Sequence, residues 1–317
     1  MATTDRLEDR HALLGKIDAT YGTDPVPAGA TDSLYVYDVK VAPMENEEDP
    51  RKPVRPFFGA DVTVIGGTKT KVEFSLPIAG SGTAGTAMPS AWRAVLRAAA
   101  HSVTNNPGVD EIYPLVSGAF DSTTFYYYDD GLLHKCIGTR GNTMREFNHE
   151  ATPKIKFSGI SLYTPPTDVA LPSLTFPATW VKPLVMNKVN TTFSLHGFAA
   201  VLDSLSIDDG VVYAWKDYVN SAADVRISGR PQVKGKVTVQ AGLIAEKDWF
   251  ALAKAGTTGA LALVHGTVAG NKYKLDAATV LPKNPSREVK DGIVFYGMDL
   301  EFFPTSAGND EYVERVL

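Results

Sequence analysis

The sequence predicts a mainly β protein: two duplicated β-sandwich or β-barrel domains, each flanked by one α-helix, with extended arms. Three observations lead there. Segments between turn residues alternate apolar and polar side chains with period two, the mark of half-buried strands. Glycine (27) and proline (20) together make about 15% of the 317 residues, enough to punctuate many short segments. An order of strand, helix and closing strand also occurs twice.

Taken in order, Asp5 to Lys16 reads as a short helix opening an N-terminal arm over residues 1–32. Tyr35, Tyr37, Val39 and Val41 share one strand face. Thr70, Val72, Phe74, Leu76 and Ile78 share another, with Lys71, Glu73 and Ser75 opposite. From Pro89 to His101, Trp92, Val95, Leu96 and Ala99 fall at helical spacing, with Arg93 and Arg97 toward water. Pro89 and Ser90 suit the start of that helix. Residues 123–128 (TTFYYY) are β-favouring throughout. Ala245 to Ala255 reads as a second helix, with Trp249, Leu252 and Ala253 inward and Gly256 ending it. Val294, Tyr296, Met298, Leu300 and Phe302 share a last strand face. Trp92 and Trp249 are the expected structural anchors of the two helices.

FSGISLYTPPT (157–167) and FYGMDLEFFPT (295–305) agree at Phe, Gly, Leu, Pro and Thr. Upstream of each lie a lysine-led strand (Lys71-Val72, Lys236-Val237) and a tryptophan helix. Duplication predicts an arm (1–32), a first β domain (33–163), a proline-rich linker and entry strand (164–194), a second β domain (195–305) and a C-terminal tail (306–317).

Thirty-one basic and 36 acidic residues give a net charge of -5, so nothing marks a sequence-reading nucleic-acid binder. The single cysteine, Cys136, closes no intrachain disulfide and reads as a small buried hydrophobe. No apolar run is long enough to span a bilayer, and the charged N-terminus lacks an export h-region, so a cytoplasmic site of synthesis is expected. Gly80-Ser81-Gly82-Thr83-Ala84-Gly85 spells G-x-G-x-x-G, but its preceding strand alternates charge with apolar residues. The next helix also starts several residues too late to receive a pyrophosphate, which leaves a flexible loop. The six histidines are never closer than 15 residues and form no H-x-x-x-H pair, so surface or turn positions are expected. Asp129-Asp130-Gly131 and Asp208-Asp209-Gly210 read as hairpin turns rather than glycosidase carboxylates. No nucleophile elbow or phosphate loop is present. No enzyme activity, cofactor or metal is expected.

Residues 44–50 are acidic and 51–56 basic, a solvated loop or an arm whose two signs meet a neighbouring subunit. At this point the chain resembles the major tail tube proteins of long-tailed, siphovirus-type bacteriophages and prophages. The resemblance is carried by Lys16–Pro25 (KIDATYGTDP), Arg55–Ala60 (RPFFGA) and Phe74-Ser75-Leu76 with Ala79–Ala87. It continues through the Trp92 helix, Gly131–Lys135, Gly159–Pro166 and Ala253–Ala260, covering nearly the whole chain.

That resemblance implies a structural virion protein, assembled in the host cytoplasm, whose rings stack into a tube for DNA delivery. Its partners would be further copies of itself, the tape measure protein, the tail terminator and distal tail or baseplate proteins, with double-stranded DNA passing transiently and no membrane contact. The duplication suggests three chains supplying six pseudo-equivalent folds per ring; six chains is the alternative. The subunit or ring interface is expected at Tyr21, Asp24, Glu45, Glu47, Glu48, Asp49, Arg51, Lys52, Arg55 and Phe57. The negative net charge fits a lumen that repels the duplex. The competing reading is a carbohydrate-binding or adhesive β-sandwich module, with TTFYYY and the four tryptophans as a sugar platform.

Overall fold

The computed structural model describes residues 5–51 and 53–317. The first half contains β1 (His11–Ile17), β2 (Tyr37–Asp49), β3 (Val64–Pro77), α1 (Ser90–Ala98), β4 (Thr104–Asn106), β5 (Asp110–Tyr113), β6 (Thr123–Asp129), β7 (Leu132–Asn148) and β8 (Lys154–Leu162). A short β9 (Thr167–Asp168) lies in the connection. The second half contains β10 (Thr191–Leu195), β11 (Leu202–Asp208), β12 (Val212–Lys216), β13 (Asp224–Gly229), β14 (Val233–Gln240), α2 (Trp249–Ala255), β15 (Gly259–His265), β16 (Tyr273–Lys290), β17 (Ile293–Phe302) and β18 (Val313–Val316).

The two halves repeat one pairing pattern. β1 pairs with β6, β6 with β7, β7 with β8, β8 with β3 and β3 with β2. β10 pairs with β15, β15 with β16, β16 with β17, β17 with β14 and β14 with β11. Both long strands carry a register shift on the way into their second half, with Gly138 (φ 66°) in β7 and Asn284 (φ 51°) in β16. The bend lets one strand serve two layers: the first part of β7 pairs with β6, the rest with β8. The halves differ by insertions, β4–β5 in the first and the β12–β13 hairpin in the second.

The halves are fused rather than merely linked. β7 pairs with β11, and the main sheet runs β2-β3-β8-β7-β11-β14-β17-β16-β18-β5-β4 without interruption. One hydrophobic cluster holds side chains of both halves, among them Phe74, Trp92, Phe157, Val237, Trp249 and Leu300. The loop over residues 80–85 joins them again: the Gly80 N–H donates to Asn271 Oδ1 at 2.9 Å, and the Gly82 N–H to the Gly270 carbonyl at 2.7 Å. A Cβ on Gly80 would lie 2.1 Å from that carbonyl, so the loop is packed on backbone and leaves no phosphate cradle.

Several sequence expectations are corrected. The helix expected from Asp5 is the strand β1. Its consecutive Ala12, Leu13 and Leu14 are all buried because both strand faces are covered, which mimics helical spacing. Leu13 joins the main cluster; Ala12 and Leu14 join Tyr126, Tyr128 and Leu133 on the other side. Residues 306–317 are no appendage, since β18 inserts between β16 and β5 and ties the halves together. Part of the linker also folds back, with Met186 buried and Trp180 packed near Tyr35.

Both helices lie inside their expected spans. In α1 six of nine side chains are buried, Trp92 fully, because the helix sits in the core rather than on it. In α2 only Trp249 is buried; Asp248 Oδ1 accepts the Ala251 N–H at 2.8 Å and Gly256 (φ 64°) closes the helix. Asp130-Gly131 forms the expected two-residue hairpin, with φ positive at both positions. Asp208-Asp209-Gly210 does not: it leads from β11 into β12, which pairs with β13 instead.

Asp209 belongs to a fully buried polar network, the largest departure from the sequence reading. Arg145 on β7 donates from Nη1 to Asp209 Oδ1 (2.5 Å), from Nη2 to Glu314 Oε1 (2.7 Å) and from Nε to Glu314 Oε2 (3.1 Å). Tyr312 and Thr143 donate their hydroxyls to Asp209, and Tyr273 donates to Glu314. His101, past the end of α1, places Nε2 3.0 Å from Asp209 Oδ2. His101, His265 and His134 are buried, against the surface positions expected for histidines. Burial pushes the Asp209 carboxyl up, but the Arg145 charge and the hydrogen bonds from His101 and Thr143 outweigh it and hold the group well below the usual carboxylate range.

Trp92→Ala lowers unfolding free energy by about 3–5 kcal/mol in a denaturant titration, the usual cost of a large core cavity; Asp248→Ala costs only about 1 kcal/mol as a lost cap. Asp209→Asn costs about 3–5 kcal/mol at pH 7, because it leaves Arg145 short of a buried counter-charge. Since folding depresses the Asp209 pKa, its contribution is present above the unfolded value near 3.9 and fades as pH falls toward the folded one. The gap between wild type and Asp209→Asn therefore narrows between about pH 5 and pH 3; a gap independent of pH there would contradict the assignment.

Candidate assembly interface

A strand edge left unpaired is a template for another chain. β2 pairs only with β3 among the described strands and ends the main sheet, with Val39 and Val41 half-buried. β16 offers the other edge. Over Tyr273–Val280 one side of it is taken by β15, and β17 follows on the opposite side to Lys290. Beyond Val280 the continuation of the β15 side has no partner among the described strands, and residues 286–292 are exposed. The same continuation in β7, Met144–Asn148, is occupied by β11. β11 is the counterpart of β2. The chain thus contains one completed junction of the type β7–β11 and the two unpaired halves of a second.

The face of the main sheet opposite the core is a ladder of charge. One row across the strands reads Lys156, Met144, Asp208, Lys234, Glu301. The next reads Lys154, Glu146, Ser206, Lys236, Asp299, Lys283. Opposite charges stand side by side on neighbouring strands, the favourable arrangement for cross-strand pairs. Lys156 Nζ lies 2.6 Å from Glu146 Oε1, and Lys283 Nζ 2.9 Å from Glu301 Oε1. Asn142 and Asn284 donate to Asp208 (2.7 Å) and Asp299 (3.2 Å). Two shallow grooves, of about 620 and 400 Å³, lie along this face. The face carries both signs in alternation and is not acidic. Lys71 and Lys236, the lysines that mark the duplicated strands, both lie on it.

The interface residues expected from sequence fall into two groups. Tyr21 and Asp24 serve contacts within the chain. The Tyr21 hydroxyl accepts the Val225 N–H at 2.6 Å, and its ring lies under the Arg140 guanidinium at 4.6 Å, so it holds the β12–β13 hairpin to the first half. Asp24 accepts from Tyr126 and, at 3.0 Å, from Lys135. Partial burial raises its carboxyl pKa, but those two bonds and the Val26 N–H win and lower it. Burial and the Asp24 bond in turn push the Tyr126 hydroxyl up to about 12.

The other group lies on the β2–β3 hairpin. Glu45 pairs with Lys71 (2.7 Å) and Lys69 (3.7 Å), and Glu47 with Lys69, all across the hairpin itself. Glu48 and Asp49 lie opposite Ile65 and Val64 and are exposed. Arg55 and Arg51 reach Asp61 at 2.7 and 3.8 Å, and Arg55 lies over the exposed Phe57 ring. Lys52, like residues 1–4 of the expected arm, lies outside the described residues. Glu45, Glu47, Arg51 and Arg55 thus have counter-charges within their own hairpin. What the hairpin leaves unpartnered is apolar: Val54, Phe57, Phe58, Val62, Val64 and Ile65 are exposed around its tip.

Sequence reasoning missed Arg145, Asp209 and Glu314. A signal existed for the first: period-two parity in β7 puts Arg145 on the same face as Thr143 and Phe147, which are buried. Nothing local marks Asp209 or Glu314. The rings of the competing sugar-platform reading form no exposed surface: Phe125, Tyr126, Tyr128, Trp92 and Trp249 are buried, and Tyr127, Trp180 and Trp215 are half-buried. Cys136 is buried as expected, and that burial pushes its thiol up to about 12. Among the described residues no group of metal-ligating side chains converges, and no helix is long and apolar enough to cross a membrane.

A family model described as "Phage tail tube protein" matches residues 9–308, from the start of the first buried strand to just before β18. No curated protein matches the chain.

Proposed function

The chain belongs to the phage tail tube protein family, and from that premise we propose that it polymerises through its sheet edges into closed rings that stack into the tail tube, the conduit for DNA. It is a structural virion component. The observation that carries the ring is the β7–β11 junction: the strands equivalent to its two sides, β16 and β2, are each free on the corresponding edge. Pairing the free edge of β16 with β2 of the next copy would repeat, between chains, the junction already made within one. Such a head-to-tail contact closes when the rotation per unit divides the circle.

Each chain supplies two pseudo-equivalent units, so three chains complete a ring of six. The direction of curvature follows from bulk. Both helices and the hydrophobic cluster lie on one face of the main sheet, and the charged ladder lies on the other. In a closed ring the thicker layer needs the larger circumference, which turns the charged face toward the axis. The apolar tip of the β2–β3 hairpin is then the natural contact to an adjacent ring. The tube's two ends would meet the tail terminator and the distal tail or baseplate proteins, the tape measure protein would occupy the lumen before DNA, and assembly would proceed in the host cytoplasm.

The test removes one edge and leaves the core. Replacing Glu288–Phe295 by Asn-Gly joins the paired residues Arg287 and Tyr296 through a two-residue hairpin turn and deletes the exposed end of β16. The wild-type chain is expected to form tubes in negative-stain micrographs, with three chains per ring in averaged cross-sections. The shortened chain is expected to keep a cooperative thermal transition and to form none. Six identical chains per ring, or tubes from the shortened chain, would contradict the reading.

A further inference from the structure

A wall of lysines around DNA would hold it, because each phosphate a lysine engages releases a counterion and adds to binding. The main sheet's charged face bears Lys154, Lys156, Lys234, Lys236 and Lys283 within two adjacent rows. By lysine content alone it would be an adhesive surface. Each lysine, however, has a carboxylate as an ion-pair partner or an immediate cross-strand neighbour. Lys156 and Lys283 are paired to Glu146 and Glu301, and Lys154 lies 3.5 Å from Asp38 and opposite Glu146. Lys234 stands between Asp208 and Glu301, and Lys236 beside Asp299.

We propose that this interstrand charge ladder is a non-adhesive surface for double-stranded DNA, in which Glu146 and Glu301 as ion-pair partners, and Asp208 and Asp299 as cross-strand neighbours, keep a carboxylate beside the lysines so that a passing duplex finds no row of cations alone. The proposal rests on the tube reading for its biological setting, but its physical content concerns the face itself. It differs from simple repulsion by an acidic lumen. The face is near balance, the lysines contribute to cross-strand pairing, and the carboxylates prevent sticking by local pairing rather than by a long-range field, which salt would screen beyond about 8–10 Å. Across the β7–β11 junction itself the polar contact is a hydrogen bond, Asn142 on β7 donating to Asp208 on β11 at 2.7 Å.

The test uses the soluble full-length chain and a fluorescent 30-base-pair duplex, read by anisotropy at about 50 mM salt, where phosphate contacts are strong. Glu146→Gln, Asp299→Asn and Glu301→Gln together leave side-chain volume nearly unchanged and free the lysines. The control, Glu48→Gln with Asp217→Asn and Asp291→Asn, changes net charge equally at exposed sites off the ladder. Wild type and control are expected to bind at least ten-fold more weakly than the ladder variant, whose affinity falls steeply with added salt. If the triple variant does not fold by circular dichroism, Asp299→Asn alone, with the same direction expected, carries the comparison. Equal binding by ladder variant and control would mean that net charge alone decides, and would overturn the proposal. So would tight binding by wild type, or no gain in the folded variant. Failure of the tube reading is seen separately, as absence of tubes in micrographs, whatever the duplex does.

Discussion

The β7–β11 junction and the C-terminal strand, two of the ties that make this chain one body, meet at the buried guanidinium of Arg145. A charge taken so completely out of water is tolerable only when its counter-charges are in place. Here they come from elsewhere in the sequence: Asp209 from the second half and Glu314 from the C-terminal strand. Four of the five N–H groups of the guanidinium find an acceptor among Asp209, Thr143 and Glu314; the fifth faces His101 Nε2 at 3.2 Å, the nitrogen that donates to Asp209. The first half therefore cannot complete its core until the second half and the tail have folded against it. A cluster of this kind adds little net stability compared with apolar packing, but it penalises wrong pairings heavily. It sits beside the β7–β11 register, where a slip of one residue would turn Arg145 toward water and a ladder residue into the core.

That junction gives the duplication its meaning. Two equivalent units side by side, with the edge of one filled by the other, form one continuous sheet. Among the described strands the edges of β2 and β16 stay unpaired, which would be an aggregation hazard in a protein built to remain a monomer. In the proposed ring they would be the joining surfaces, on the geometry of the internal junction. The insertions decorate this common plan: β4–β5 receives the C-terminal strand, and the β12–β13 hairpin is held to the first half by Tyr21 and Arg140.

The two faces of the main sheet meet opposite demands. The inner side of each strand is apolar and packs against α1, α2 and the second layer; the outer side is a checkerboard of lysine and carboxylate. Neither pattern alone distinguishes a tube from any other half-wet antiparallel sheet. What the two halves share is the mixed-sign face itself, which runs from Lys156 on β8 to Glu301 on β17 and from Lys154 on β8 to Lys283 on β16.

The sequence by itself determined the local architecture. Period-two alternation located β3 and β17, a run of β-favouring residues located β6, helical spacing located α1, cap and turn residues ended α2 and closed the β6–β7 hairpin, and the repeated motif revealed the duplication; these follow from residue preferences and backbone geometry acting over a few residues. It also carried the resemblance to tail tube proteins. What failed were segments whose environment is set by distant chain. β1 looked helical because both its faces are covered; Asp209 looked like a turn residue because its partner Arg145 lies 64 positions away; the C-terminal residues looked like a tail because the two strands that receive them are elsewhere. The net charge of -5 is a sum over the whole chain and is silent on neighbours, whereas cross-strand register and ion pairing place a carboxylate beside each ladder lysine. Only the tertiary structure decides register, and register determines which charges are neighbours.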